Sequence, residues 1–451
     1  MRHAVRLQML QSKLADIQVV RPIGRICAAR GNVLNVSGLN EVAKIGDRVE
    51  VTRQSGETLS AEIVQLSQTD VTIIPDGAFE GIALGDRVTI DSQPKIAPNE
   101  TWLGRIVDPN GTPLDGRPLG QGFVTRPLKC APPAAATRRA LGARMNTGHV
   151  VFDTMLPIVR GQRMGLFAGS GVGKSSLMGQ FAKRMSADIV VIAMIGERGR
   201  EVRHFVDDVL GSEGLQRSVI VAATSDQSPL LRRRCAWTAM AVAEHFRDEG
   251  LSVLLLADSI TRFAEAHREV AVAAGEAPVL RGFPASTSHM IMSLCERAGP
   301  GGPNHGDITA VFSVLVAGSD MDEPIADILR GVLDGHVVLD RSIAERGRFP
   351  AVDVLRSVSR SLPGAATTQE NEMIAETRKL LGSHAQNQMM ISAGLYTQGT
   401  DPDIDTAIQA WPHLDKVMSV VHEQDAAHSF DQLALALRRG GGQVGKQRSP
   451  R

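Results

Sequence analysis

Aromatic residues are scarce in this 451-residue chain: they make up 4%, with a single tyrosine, Tyr396. Surfaces that hold single-stranded nucleic acid stack bases on several aromatic rings. The β-rich stretch 21–93, whose size suits an oligonucleotide-binding barrel, offers only Phe79. The formal net charge is zero, so no overall field draws the chain to nucleic acid or to an anionic membrane. No nucleic-acid partner is expected. Cysteine is equally sparse: Cys27, Cys130, Cys235 and Cys295 lie far apart, which excludes metal-type and redox-type pairs and fits reduced thiols. Long apolar runs are missing too. The longest, 189–195, 251–257 and 309–317, fall short of the roughly 20 residues of a membrane span. Gln8, Gln11, Ser12 and Lys13 interrupt any signal-peptide core. A soluble, cytoplasmic protein is expected.

What is present changes along the chain. Over 1–18, Leu7, Leu10, Leu14 and Ile17 form a narrow apolar seam at helical spacing, ended by Pro22 and Gly24. That helix either packs on its own domain or docks a partner protein. Residues 19–93 read as a small β-barrel. The Gly46-Asp47-Arg48-Val49 stretch recurs in kind at Gly85-Asp86-Arg87-Val88. Residues 94–135 are rich in proline and glycine and read as an irregular crossing. From 140 to 345, buried strands alternate with helical stretches, which predicts a mainly parallel sheet with helices on both faces. From 363 to 438 the pattern is helical, and 439–451 reads as a disordered tail. The fold class is therefore α/β: a small N-terminal β-barrel, a central nucleotide-binding domain over 94–362 and a C-terminal helical domain.

One segment carries most of the chemistry. Ala168-Gly169-Ser170-Gly171-Val172-Gly173-Lys174-Ser175 follows the apolar Met164-Gly165-Leu166-Phe167 and leads into Ser176-Leu177-Met178. That is the order strand, glycine-rich loop, helix. Glycines let backbone N–H groups close around a phosphate chain, and the helix N-terminus adds partial positive charge. Lys174 suits the β- and γ-phosphates, and the Ser175 hydroxyl suits Mg²⁺. Gly169 to Ser176 are the candidate nucleotide-binding residues, with ATP and Mg²⁺ as cofactors. Ala168 stands where the usual pattern has glycine, which costs little at negative φ.

Three further groups complete the constellation. The apolar strand ending at Asp258 places a carboxylate where Mg²⁺ would sit. Glu197, ending the apolar run 189–195, is the candidate for polarising the attacking water, with Glu201 as its competitor. Arg360 lies far downstream, past the sheet, and suits an arginine that enters a neighbouring subunit's site.

Together these segments resemble the rotary-type hexameric ATPases, the group of the catalytic subunits of F-type and V-type ATP synthases, from about residue 20 to 435. Within that group the chain is similar to the type III protein-export ATPases. The segments that carry the likeness run from Arg160 to Ser175, from Asp320 to Asp327, from Asp334 to Arg341 and from Gly399 to Ile408. The phosphate loop has the flagellar rather than the virulence-type form. The resemblance implies a RecA-like ATPase domain with Lys174 and Ser175 on phosphate and Mg²⁺. It makes Glu197 the catalytic carboxylate, Asp258 the metal-side acid, and Arg198 and Arg262 phosphate contacts. Phe349 would pack on adenine, and Arg360 would be the arginine finger. One chain holding both Glu197 and Arg360 implies a homohexamer rather than a non-catalytic ring subunit. Implied partners are a regulator gripping the N-terminal helix, a central stalk protein, the export gate and complexes of export chaperones with their substrates. Implied location is the cytoplasmic side of the inner membrane, in peripheral association through the export apparatus.

Overall fold

The computed structural model describes residues 21–91, 95–316 and 321–442. The helix expected over 1–18 and the chain beyond 442 lie outside the described residues.

Six strands, β1 (Ile23–Arg30), β2 (Val33–Ser37), β3 (Arg48–Thr52), β4 (Thr58–Leu66), β5 (Asp70–Pro75) and β6 (Arg87–Ile90), close into an antiparallel barrel in the order β1-β2-β5-β4-β3-β6. Alternate residues such as Val49, Val51, Val71 and Ile73 fill its interior, as the two-residue period of a strand requires. The sequence repeat is one turn used twice. Asp47 accepts from the Lys44 N–H at 2.9 Å and Asp86 from the Ala83 N–H at 2.8 Å, each leading into a strand, and those two strands pair with each other.

The central sheet follows. Its strands are β7 (Arg105–Val107), β8 (Arg163–Ala168), β9 (Ile189–Glu197), β10 (Ser218–Thr224), β11 (Ser252–Asp258), β12 (Asp307–Leu315), β13 (Gly335–Leu339) and β14 (Val352–Ser359). They lie in the order β14-β13-β8-β12-β11-β9-β10-β7, parallel along that path except β14, which runs antiparallel to β13; a ninth strand of two residues, Gly299–Pro300, pairs antiparallel with β12 off this path. Both faces are covered, so strands are apolar along their length and side chains alternate between two cores: Leu166 enters one and Phe167 the other. The covering helices include α1 (Lys174–Arg184), α2 (Pro229–Asp248), α3 (Ile260–Ala273), α4 (Ser286–Arg297) and α5 (Pro324–Val332).

Three helices end the described chain: α6 (Thr368–Ser392), α7 (Pro402–Val417) and α8 (Ala426–Arg439). Thr367 and Glu370 form a reciprocal capping box at the start of α6. Leu414, Leu433 and Leu437 extend the core that contains Leu166, so the helical region is packed directly onto the nucleotide-binding sheet.

Two stretches differ from expectation. Residues 352–359 form the edge strand β14 instead of lying past the sheet; an edge strand is half solvated and tolerates Arg356, which masked its pattern. The proline-rich crossing supplies β7, three residues that join the opposite edge beside β10. Buried charge fixes the barrel to the sheet's helices. Glu62 on β4 accepts from Arg233 and Arg234 on α2, both at 3.0 Å, and Arg234 also reaches Asp76 at 3.1 Å and Asn110 at 2.8 Å.

Candidate functional site

The carboxyl ends of β8, β9 and β11 meet at one point, and each brings a polar group out of an apolar strand. β8 ends at Ala168, whose φ is negative; Arg281 is the only described non-glycine residue with positive φ. The loop then turns through Gly171 and Gly173, at φ 79° and 89°, where a side chain would be strained. Gly173 is the N-cap of α1 and offers no capping side chain. The first-turn N–H groups are thus left for an anion.

β11 delivers Asp258, a buried carboxylate. Ser313 Oγ on the neighbouring β12 donates to its Oδ1 at 2.7 Å, and Lys174 Nζ pairs with the same oxygen. Ser313 was not anticipated. Its signal was a hydroxyl near the carboxyl end of a mostly apolar strand.

β9 delivers Glu197. Gly196, at φ 68°, makes a bulge there: the pairing with β10 slips between Ile195 and Glu197. A bulge re-aims the side chain that follows it. Burial pushes the Glu197 carboxyl up to about 7, the Asp258 charge and a hydrogen bond shared with Glu201 act in the same direction, and Lys174 opposes them. That shared bond holds Glu201 below its usual range, with Arg198 and Arg200 adding to the effect. Glu201 also takes a bond from exposed Arg198 Nη1 at 2.6 Å. Of the two competing carboxylates, Glu197 is the one under the influence of Asp258 and Lys174.

Arg262, in the first turn of α3, bonds Glu265 at 2.9 Å and feels the charges of Glu197 and Glu201. Phe349 lies against the phosphate loop: a Cβ on Gly173 would stand 3.2 Å from its ring, and the ring is 51% exposed. The loop residues Ser170, Gly171, Ser175 and Ser176 are exposed, whereas Val172 is buried beneath them.

Arg360 is not in this cluster. β14 runs antiparallel to β13, with Val352 opposite Leu339 at the phosphate-loop end and Ser359 opposite Gly335 at the other. Arg360 therefore leaves the sheet at the amino ends of the parallel strands. β8 alone, with six residues, separates it from the loop by about 17 Å.

Oxygen ligands suit Mg²⁺, which is commonly held by one or two carboxylates together with substrate phosphates rather than by a protein cage. Asp258 and the Ser175 hydroxyl fit that demand. Among the described residues no cluster of three or more His, Cys, Asp or Glu forms a closed metal site.

Residues 148–359 match the nucleotide-binding domain of the ATP synthase alpha/beta family, residues 26–90 its beta-barrel domain, and residues 366–438 the T3SS EscN ATPase C-terminal domain. The flagellum-specific ATP synthase of Caulobacter vibrioides is 42% identical over 94% of this chain and 97% of that protein. The Salmonella typhimurium counterpart is 40% identical over 91% of this chain and 92% of its own. The assembled ATPase EscN of the enteropathogenic E. coli type III secretion system superposes with a TM-score of 0.84 at 34% identity, covering 92% of this chain and all of that one. The same ATPase solved with its central stalk EscO gives 0.83 at 35%, with the same coverage of both chains. With its barrel, parallel sheet and helical end in the same order and its phosphate loop opposite Glu197 and Asp258, the chain belongs to the ATP synthase alpha/beta family, among the flagellum-specific ATPases.

Proposed function

We propose that this ATPase hydrolyses Mg-ATP to energise export of flagellar subunits through a flagellar type III apparatus, acting as a homohexamer with six equivalent sites. One observation carries the mechanism: Lys174, Asp258 and Glu197 converge at one end of the sheet, while Arg360 of the same chain stands at the other. A site complete in every part then needs the arginine of a neighbouring copy.

Gly169 to Ser176 wrap the phosphates, and Lys174 neutralises charge on them. Ser175 and Asp258 would hold Mg²⁺, which supplies electrostatic stabilisation of the phosphoryl group when bound. Glu197 orients and deprotonates water. Phe349 offers its ring to adenine. Arg198 and Arg262 reach the phosphates from the mouth of the site. Arg360 stabilises transition-state charge next door. The flagellar reading rests on identities of 42% and 40% over more than nine-tenths of the chain to flagellar relatives, against 34–35% over 92% of the chain to EscN and 38% over 76% of it to a type III secretion ATPase of pathogenic bacteria. By analogy with EscN, a central stalk protein would sit in the ring; a regulator at the N-terminal helix, the export gate and chaperone–substrate complexes complete the set of partners. These place the protein in the cytoplasm at the inner-membrane base of the apparatus.

Lys174→Ala tests the core of this reading. It should abolish hydrolysis and leave the circular dichroism spectrum unchanged, because the lysine heads α1 at the end of the phosphate loop and fills no core. Retention of most of the turnover would overturn the assignment.

A further inference from the structure

Around Arg360 the chain has built a hydrogen-bonded support away from the phosphate loop. The Arg360 N–H donates to the Asp334 carbonyl at 3.0 Å, and its guanidinium Nη2 donates to the Arg330 carbonyl at 3.1 Å. Asp334 is in turn held by four donors. Its carboxylate accepts from the Arg163 backbone N–H, Nε and Nη2, each at 3.0 Å, and its carbonyl also accepts from Gln162 Nε2 at 3.1 Å. The remaining Arg163 nitrogen, Nη1, reaches Glu296 on α4 at 2.6 Å.

Gln162 is fully buried and spends its whole amide on this corner. Nε2 donates to the Asp334 carbonyl and, at 3.0 Å, to Ser359 Oγ, while Oε1 accepts from the Val159 N–H at 2.9 Å. Ser359, the residue before Arg360, donates in turn to the Pro157 carbonyl at 2.6 Å. Ser359 before the finger and Asp334, which accepts its backbone N–H, are therefore both fixed to Gln162 or Arg163 at the start of β8.

From this arrangement we infer that Gln162, Arg163 and Asp334 are positioning residues for Arg360, setting the angle at which its guanidinium leaves the subunit. The inference rests on Arg360 acting as the finger of a neighbouring site. A fork of three N–H donors on one carboxylate has a single geometry, unlike a lone ion pair. Arg360 itself is exposed and holds one side-chain bond, to a carbonyl, so its direction comes from its backbone. Displacement of a catalytic group by about 1 Å costs on the order of 10²-fold in rate.

The experiment is a double-mutant cycle in the full-length chain, measuring kcat, KM for Mg-ATP and assembly by light scattering. Asp334→Asn keeps the shape and the carbonyl and removes the charge that draws in the Arg163 fork. It should lower kcat about 10²-fold, with KM within twofold of wild type and assembly unchanged. Arg163→Lys, which keeps the cation and loses the fork, should give an intermediate kcat, and it stands in should Asp334→Asn fail to fold. In an Arg360→Ala background neither change should lower kcat further, because a positioning residue has nothing left to position. A loss that multiplies fully with that of Arg360→Ala, or a wild-type kcat for both variants beside an inactive Arg360→Ala, overturns the inference while sparing the finger. Wild-type turnover by Arg360→Ala itself overturns the finger and the inference together.

Discussion

At the scale of single residues, the site depends on where a proton sits. As the proposed base, Glu197 must be ionised to take a proton from water, yet burial and the neighbouring Asp258 and Glu201 hold its carboxyl up to about 7. A raised value means the base is half protonated near neutrality, so activity should rise as pH increases through that range. The profile of kcat/KM against pH reports groups of the free enzyme. It should show an acid limb near pH 7. Glu201→Gln removes one adjacent charge and alters the shared hydrogen bond, so the limb should move to lower pH while maximal turnover is kept within a few-fold. Glu197→Gln should still bind Mg-ATP and hardly turn it over. Should Glu201→Gln prove the more damaging of the two, the roles are reversed.

At the scale of elements, buried charge joins the barrel to α2. Arg234 is 1% exposed and Arg233 nearly as buried, and Glu62 accepts from both. Burial opposes ionisation of Glu62, but the charges of Arg233, Lys129 and Arg234 outweigh it and hold the carboxyl below its usual range. Glu62→Ala would leave two guanidinium groups short of a counter-charge. Breaking a buried pair of this kind costs about 3–5 kcal/mol, to be read as a lower thermal midpoint or a smaller denaturant midpoint. A change below about 1 kcal/mol would show that the barrel is seated by other contacts.

This joint also shows what the sequence could and could not reveal. The phosphate loop was legible because its spacing is local, and Asp258 and Glu197 because each ends an apolar run. The barrel and the parallel sheet were legible from strand patterns and from alternation with helices. Glu62 and Arg234 stand 172 positions apart, and Arg163 and Asp334 stand 171 apart. No periodicity links such partners; only the fold brings them together. The bulge at Gly196 and the edge strand β14 were hidden for a related reason, since both depend on pairing with a second strand. Helix α6 runs to Ser392, and its last turns carry exposed residues such as Met389, so they lack the apolar stripe by which a helix is read from sequence.

At the scale of the whole molecule, the two ends of the sheet do different work, and mixing experiments can separate them. Lys174→Ala subunits keep a sound Arg360, and Arg360→Ala subunits keep a sound phosphate loop. Each alone should be inactive, the second with turnover reduced by roughly 10³–10⁵, the range for lost arginine fingers. Combined under assembling conditions, they should form some interfaces with both parts intact and recover part of the activity. The particles should have six times the 48.3 kDa of one chain. Mixed particles that stay inactive at every ratio would count against an arginine acting between subunits.

The edge strand that leads to Arg360 has a consequence for how copies come apart. Its outer backbone is not free: Arg378 on α6 donates to the Val354 carbonyl at 3.1 Å and to the Ser357 carbonyl at 3.3 Å. An open edge is a template on which another chain can zip up strand by strand, and such seams are slow to release. Here a side chain from the same molecule already occupies two of the acceptors. In the proposed hexamer, neighbouring copies would then meet here through side chains, a contact that can be made and undone without unravelling any sheet. On the proposed reading, Arg360 would meet its neighbour on a surface that resists fusing with it.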